Sequence, residues 1–282
     1  MFSEPLLPFP RVPETVKARY SVGELTLRPF GLYERDLSVD FNHAQRPFLV
    51  TQILECCTRD ARGEKVEQSF FWNLTVGKRI ECLLNLISSG EQPEISVAFL
   101  CPNGACGQEL EIELAVEEIS ELQEQAYAAE RVSIQIENQQ LVLRRPTGSD
   151  QLSWLKSRFA EEDAAVKQML RTLLLEDAEG TAADGDATPR ELVQSVGRAM
   201  EEHDPLVNFS LQVQCPYCEQ ECPCEIDLEA LALRRLRQAQ LRLLVSVHRL
   251  AANYHWSEGE IFAVPYWRRT YYLNLIEKEK NR

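Results

Sequence analysis

The sequence predicts an α+β protein made of two helix-plus-hairpin halves, joined through a four-cysteine site and followed by a C-terminal helical module. Three observations carry that prediction. Two short cysteine turns, CPNGAC (101–106) and CPYC (215–218), each lie between segments of alternating apolar residues. The stretch leading to the second turn repeats the order and spacing of the stretch leading to the first. From residue 229 onward the pattern is helical and basic.

In chain order, residues 1–20 are broken by prolines and predict an extended arm. The first half covers 21–115. LTLRPFG ends a strand at an Arg28-Pro29-x-Gly31 turn, and helices follow over 45–58 and 75–89. In the second of these, Val76, Ile80, Leu83, Leu84 and Ile87 share one face. A strand, the first cysteine turn and the alternating ELEIEL (109–114) complete this half.

The second half covers 116–228. It is expected to open with a surface helix over 115–131, followed by a hairpin, VSIQIENQQLVLRR, turning at Asn138 to Gln140. An Arg145-Pro146-x-Gly148 turn leads into one helix or a close pair over 151–175. Residues 176–189, EDAEGTAADGDATP, are acidic and apolar-poor, the composition of a disordered loop. The DGD within it lacks the further carboxylates of an EF-hand loop. FSLQVQ then alternates Phe209, Leu211 and Val213 as a strand, and EIDL follows the second cysteine turn.

The module at 229–282 starts within one long helix, 227–252. Ser257 and Glu260 have capping-box spacing, and Pro265 suits the first turn of a last helix, Tyr266 to Lys278. His248 and His255 are not spaced as metal ligands with the cysteines, so packing or surface roles are expected.

Bulk properties limit the function classes. The chain has 282 residues, 44% hydrophobic and 26% charged, which is ordinary for a globular protein. Its formal net charge of −14 argues against nucleic-acid binding by the whole surface. Residues 229–282 hold ten Lys or Arg against five Asp or Glu, about +5, which leaves about −19 on the rest. A basic tail on an acidic body suggests an interaction surface. The N-terminus has no basic n-region of a signal peptide, and no apolar run is long enough to span a bilayer. A cytoplasmic protein with reduced thiols is expected, so nine cysteines need a reason other than disulfides.

Cys56, Cys57 and Cys82 lie in helical segments and read as small apolar residues. Cys101, Cys106, Cys215 and Cys218 have the pattern of a structural zinc site. Zinc takes four thiolates in a tetrahedron, and a tight turn lets two sulfurs reach one ion. Each cysteine turn sits at the tip of a hairpin, as in a zinc ribbon. Such a site is a closed staple with no open coordination position. Cys222 and Cys224 remain outside this assignment, able to replace a ligand or bind a second ion. A thioredoxin-like role for Cys215 and Cys218 would need a helix opening after a strand, and these cysteines lie between two strands.

The repeat has two markers in the same order. Arg28 to Cys101 spans 73 positions and Arg145 to Cys215 spans 70. Each interval carries helical stretches and then an acidic turn with a proline, GEQP or EEHDP. An internal duplication, with the metal joining its halves across a pseudo-two-fold axis, accounts for both. No GxSxG, Walker loop, GxGxxG or HExxH occurs, so the prediction is of a non-enzymatic protein.

Three features resemble the baseplate hub assembly chaperone family of contractile-tailed phages and phage-like contractile injection systems. The first is the helix start at Gly77, Arg79, Leu83 and Leu84. The second is the strand-CPxC-strand element. The third is VHRLAANYHWSEGEIFAVPYWRRTYYLNLI (247–276), with Trp256 to Ile261, Pro265, Arg268 and Arg269 in the places the family signature has them. The CxxxxC spacing of the first turn, the extra Cys222 and Cys224 and the proline-rich start depart from that pattern. The resemblance implies tail assembly as the role, as a chaperone or as a part of the phage baseplate hub, with tube, hub or baseplate proteins as partners and no membrane partner. Trp256, Trp267, Arg268, Arg269 and Tyr271 are the expected partner-binding residues, being types that anchor interfaces. The alternatives are a zinc-ribbon nucleic-acid-binding regulator, which the acidic CEQECPCEIDLE disfavours, and a thiol-disulfide oxidoreductase.

Overall fold

The computed structural model describes residues 6–61, 65–88, 94–116, 118–119, 121–122, 131–136, 139–157, 159, 161–175 and 189–280. A small antiparallel sheet in the order β1-β2-β3 (Leu7–Pro8, Leu25–Leu27, Thr58–Asp60) forms first, with α1 (Glu14–Arg19) and α2 (Arg46–Cys57) between its strands. Pro8 pairs with Thr26, and Val12 is buried among Leu27, Phe70 and Phe71. Residues 6–20 are therefore packed on the body, and the extended arm expected there is corrected. The prolines break this segment without preventing it from burying Val12.

Next come α3 (Gln68–Asn73) and α4 (Val76–Ser88), then the hairpin β4 (Glu94–Leu100) and β5 (Glu109–Ala115). A second hairpin, β6 (Arg131–Ile136) and β7 (Gln139–Arg144), leads into α5 (Gly148–Lys156) and α6 (Glu162–Leu173), the close pair allowed by the sequence. Helix α7 (Pro189–His203) precedes the last hairpin, β8 (Ser210–Gln214) and β9 (Glu221–Glu225). Of the helix expected over 115–131, residues 116, 118, 119, 121 and 122 are helical, and the remainder up to 130 lies largely outside the described residues. The disordered loop expected at 176–189 and the hairpin turn at Asn138 also fall outside them, apart from 176–189's last residue and Gln139–Gln140.

Helix α4 joins two cores. Cys82, Leu83 and Leu86 pack with α2, α3 and the first sheet. Val76, Ile80 and Leu84 pack against both cysteine hairpins through Ile95, Leu114, Phe209 and Ile226. Each such fully buried aliphatic side chain contributes about 1.5–3 kcal/mol. Arg79, within the Gly77-x-Arg79 motif, is wholly buried. Its guanidinium donates to the carbonyls of Phe71 and Pro47 and to Thr51 Oγ1, at 2.8, 2.6 and 3.0 Å. It lies so close to Gly148 that a Cβ there would stand 2.6 Å from its nitrogen. The start of α4 and the second Arg-Pro turn are also bonded directly, Val76 N to Pro146 O and Gly148 N to Leu74 O.

Helix α8 (Leu228–Tyr254) runs from the hairpins to the C-terminal module, which adds α9 (Glu258–Ala263) and α10 (Tyr266–Lys280). Asp227 caps α8 by accepting from Ala230 N, and His255 ends it in a left-handed conformation, φ 56°. The predicted box is present at α9: Ser257 accepts from Glu260 N, and Glu260 accepts from Ser257 N. Buried Gln240 fixes α8 to the turn after β2, donating to Asp36 O and Val39 O.

Candidate metal centre

The two cysteine turns close in the same way. Cys101 N–H donates to Gln108 O and Cys215 N–H donates to Gln220 O, both at 2.9 Å. The residue after the second cysteine is left-handed in each, Gly107 at φ 57° and Glu219 at φ 59°. That conformation turns the chain back into the returning strand, and glycine adopts it without strain. The hairpins bring the turns together across more than a hundred residues. Cys101 Sγ lies 3.8 Å from Cys218 Sγ, and Cys106 Sγ lies 3.8 Å from Cys215 Sγ.

All four sulfurs lie within 4.8 Å of one another. A tetrahedron of thiolates about 2.3 Å from a central ion has edges of about 3.8 Å. The four cysteines predicted from sequence thus form one cluster that can hold a metal ion. Two crossed edges, one from each pairing of turns, already have the required length.

Cys101 and Cys215 are buried, whereas Cys106 and Cys218 are partly exposed beside the exposed ring of Tyr217. Burial works against ionisation of Cys215, but the N–H groups of Tyr217 and Cys218 and the neighbouring thiols outweigh it and lower its pKa to about 7. Cys101 is affected oppositely. The Asn103 N–H favours its thiolate, yet burial and the sulfurs of Cys215, Cys222 and Cys218 push its pKa up. The Cys215 thiolate is thus favoured, whereas those of Cys101 and Cys106 are disfavoured, a balance that a bound cation would offset.

All nine cysteines are free thiols. Cys57 and Cys82 are buried in the first core, as their helical setting predicts, and burial raises both pKa values. Cys222 was left unassigned by sequence. It stands with Leu110, Cys101 and Cys215 in the sulfur cluster, its Sγ 3.7 Å from that of Cys101. Cys224 faces the neighbouring core with Ile226 and Leu228.

The expected partner-binding residues divide into two groups. Trp267 and Tyr271 are each 61% exposed, one helical turn apart on α10, with Tyr266 beside them. Arg268 is exposed and donates to Tyr272 Oη. Trp256 is instead stacked on Tyr254 at 4.9 Å and meets Tyr272 edge-on, within the core of the module. Arg269 is buried, donates to Leu32 O and lies over Phe262. Of the expected partner-binding residues, Arg269 on α10 is buried and Trp256 is half-buried against Tyr254 and Tyr272. Both histidines named from sequence are exposed.

No protein-family model, curated protein or solved structure matches the chain.

Proposed function

We propose that Cys101, Cys106, Cys215 and Cys218 bind one zinc ion as a structural staple in a non-enzymatic, cytoplasmic assembly protein. In this reading the protein is a chaperone or component of a contractile-tail baseplate hub and acts by binding other proteins. The observation that carries it is the four-sulfur cluster closed by two matched turns. Zinc suits four thiolates, and a site filled by them has no position left for substrate. The exposed Trp267 and Tyr271, with Arg268, supply the residue types that anchor protein interfaces. Among the described residues no helix is long and apolar enough to cross a membrane.

The zinc also fits an internal duplication. Beyond the matched turns the Arg-Pro segments differ: Arg28 pairs with Asp36, whereas Arg145, its counterpart, donates to His203 O, and it is the preceding Arg144 that pairs with Asp150. If the halves are equivalent, a chimera with CPYCE in place of CPNGACG keeps one four-sulfur metal site. Loss of the metal in a folded chimera counts against duplication.

The partner is tested by pull-down from cells carrying the neighbouring genes. Tube, spike or baseplate proteins are the expected catch, lost in Trp267→Ala/Tyr271→Ala. Recovery of nucleic acid alone, with binding that falls steeply with salt, overturns the assembly reading in favour of a regulator. The lowered pKa of Cys215 keeps one rival chemistry in view. A metal-free preparation with Cys215 and Cys218 cycling between dithiol and disulfide favours an oxidoreductase.

A further inference from the structure

The centre contains one sulfur more than a tetrahedral ion can use. Cys222, only 2% exposed, has its Sγ 3.7 Å from Cys101 Sγ, the edge length of a thiolate tetrahedron. It lies outside the mutual set formed by the other four. It is therefore next to one vertex, that of Cys101, on the buried side of the site. The first hairpin has Leu110 at the corresponding place, four residues after its second cysteine, also packed in the sulfur cluster. An apolar residue suffices to fill that place, so packing alone does not call for a sulfur there.

We propose that Cys222 is a stand-by ligand that can take the Cys101 vertex of the metal site, an inference that rests on the tetrathiolate reading above. Changing χ1 by one staggered well carries a cysteine sulfur about 3 Å. Against a 3.7 Å separation, the rest is a sub-ångström shift of the ion or of β9. Cys222 Sγ lies 3.5 Å from Gln220 O. In the exchange the metal–Cys101 bond breaks and a metal–Cys222 bond forms. The Cys222 proton passes to the released Cys101 sulfur, so charge is conserved. The site keeps four thiolates throughout and tolerates loss of Cys101, for example by oxidation.

The test compares Cys101→Ala, Cys106→Ala, Cys222→Ala and Cys101→Ala/Cys222→Ala in the full chain, loaded with Co2+ and read by sulfur-to-cobalt charge-transfer absorption. Wild type, Cys222→Ala and Cys101→Ala are expected to show the full four-sulfur intensity. Cys106→Ala and the double variant are expected to lose about a quarter of it, one ligand in four. Equal losses in Cys101→Ala and Cys106→Ala, whether of absorption, of metal or of fold, overturn the proposal. So does a Cys101→Ala that fails to fold where Cys106→Ala folds. A wild type without four-sulfur cobalt binding instead removes the tetrathiolate reading itself, and the two failures are thereby distinguished.

Discussion

Removing the metal should loosen the cysteine hairpins before the rest of the molecule. Cys106 and Cys215 are 109 positions apart. A cross-link closing a loop of that length restricts the unfolded chain by about 5 kcal/mol on chain-entropy grounds. That is a third or more of the stability typical of a folded domain, about 5–15 kcal/mol. For a chain of 282 residues it corresponds to a fall in Tm of about 8 °C. The loss is concentrated where little else holds the turns, because the sulfur cluster contains Leu110 as its one buried non-cysteine residue. Among the described residues, the first core and the C-terminal core share no side chain with it. The assay is thermal melting of zinc-loaded and chelated protein, with metal content measured on each, and hydrogen exchange resolved along the chain. Exchange should rise first at Glu94–Leu100, Glu109–Ala115, Ser210–Gln214 and Glu221–Glu225. A chelated protein shown to be metal-free, with unchanged melting and protected hairpins, would refute the staple argument.

Other changes test the frame around the site. Glu219→Gly should stabilise by about 1 kcal/mol, since Glu219 occupies a left-handed conformation at φ 59°, and Gly107→Ala should destabilise similarly; chemical denaturation of each variant measures both. Arg79→Leu leaves the buried carbonyls of Pro47 and Phe71 without their donor and should cost about 3 kcal/mol or more, read from urea midpoints. Gly148→Ala should be costly for a related reason, its Cβ meeting that guanidinium at 2.6 Å. At Asp150, burial opposes ionisation, but Arg144 and Thr147 outweigh it and hold the carboxyl below its usual range. Its stabilisation is therefore complete above about pH 4 and lost as pH falls through the lowered value. Asp150→Asn should flatten that acid limb of a stability–pH profile.

The elements nearest the metal were the most legible in sequence. Alternation in FSLQVQ and ELEIEL, each beside a cysteine turn, states a hairpin locally, and four cysteines of one shared chemistry state the site. The helices at Arg46–Cys57 and Val76–Ser88 were read to within a residue or two because their apolar periods are long. Helix α3 was missed because QSFFWN is too short to show a period and is held by Phe70 and Phe71 in the core. The arm was misread because prolines report what backbone a segment avoids and not whether it docks. Arg269 reads in sequence as a surface anchor and is buried in the structure. An amphipathic side chain can bury its body and satisfy its polar end on a carbonyl such as Leu32 O. Cys222 could have been found from the register of the two hairpins, which sets it opposite Val213 and in the place of Leu110.

A metal ion at the four cysteines would supply stability where apolar packing runs short. The cysteine hairpins are two-stranded, and isolated two-stranded hairpins are marginal in water. Their bases are secured by Ile95, Leu114, Phe209 and Ile226 against α4, but their tips project beyond that core. Along their length the strands expose Glu109, Glu111, Glu113, Glu221 and Glu225, charges that oppose close approach of the hairpins and are compatible with solvent. Four inward sulfurs around a divalent cation reverse the balance, since the ion attracts thiolates that would otherwise repel. Under the proposed function, such a site would fix the spacing of the two cysteine hairpins and leave the exposed Trp267 and Tyr271 of α10 as the candidate partner surface. It follows that mutations at the cysteines should weaken binding only through lost structure, whereas Trp267 and Tyr271 should affect binding at constant Tm. Measuring both Tm and partner capture on the same variants separates the two: loss of capture in Cys215→Ala with an unchanged melt would place the binding surface at the metal and overturn this division.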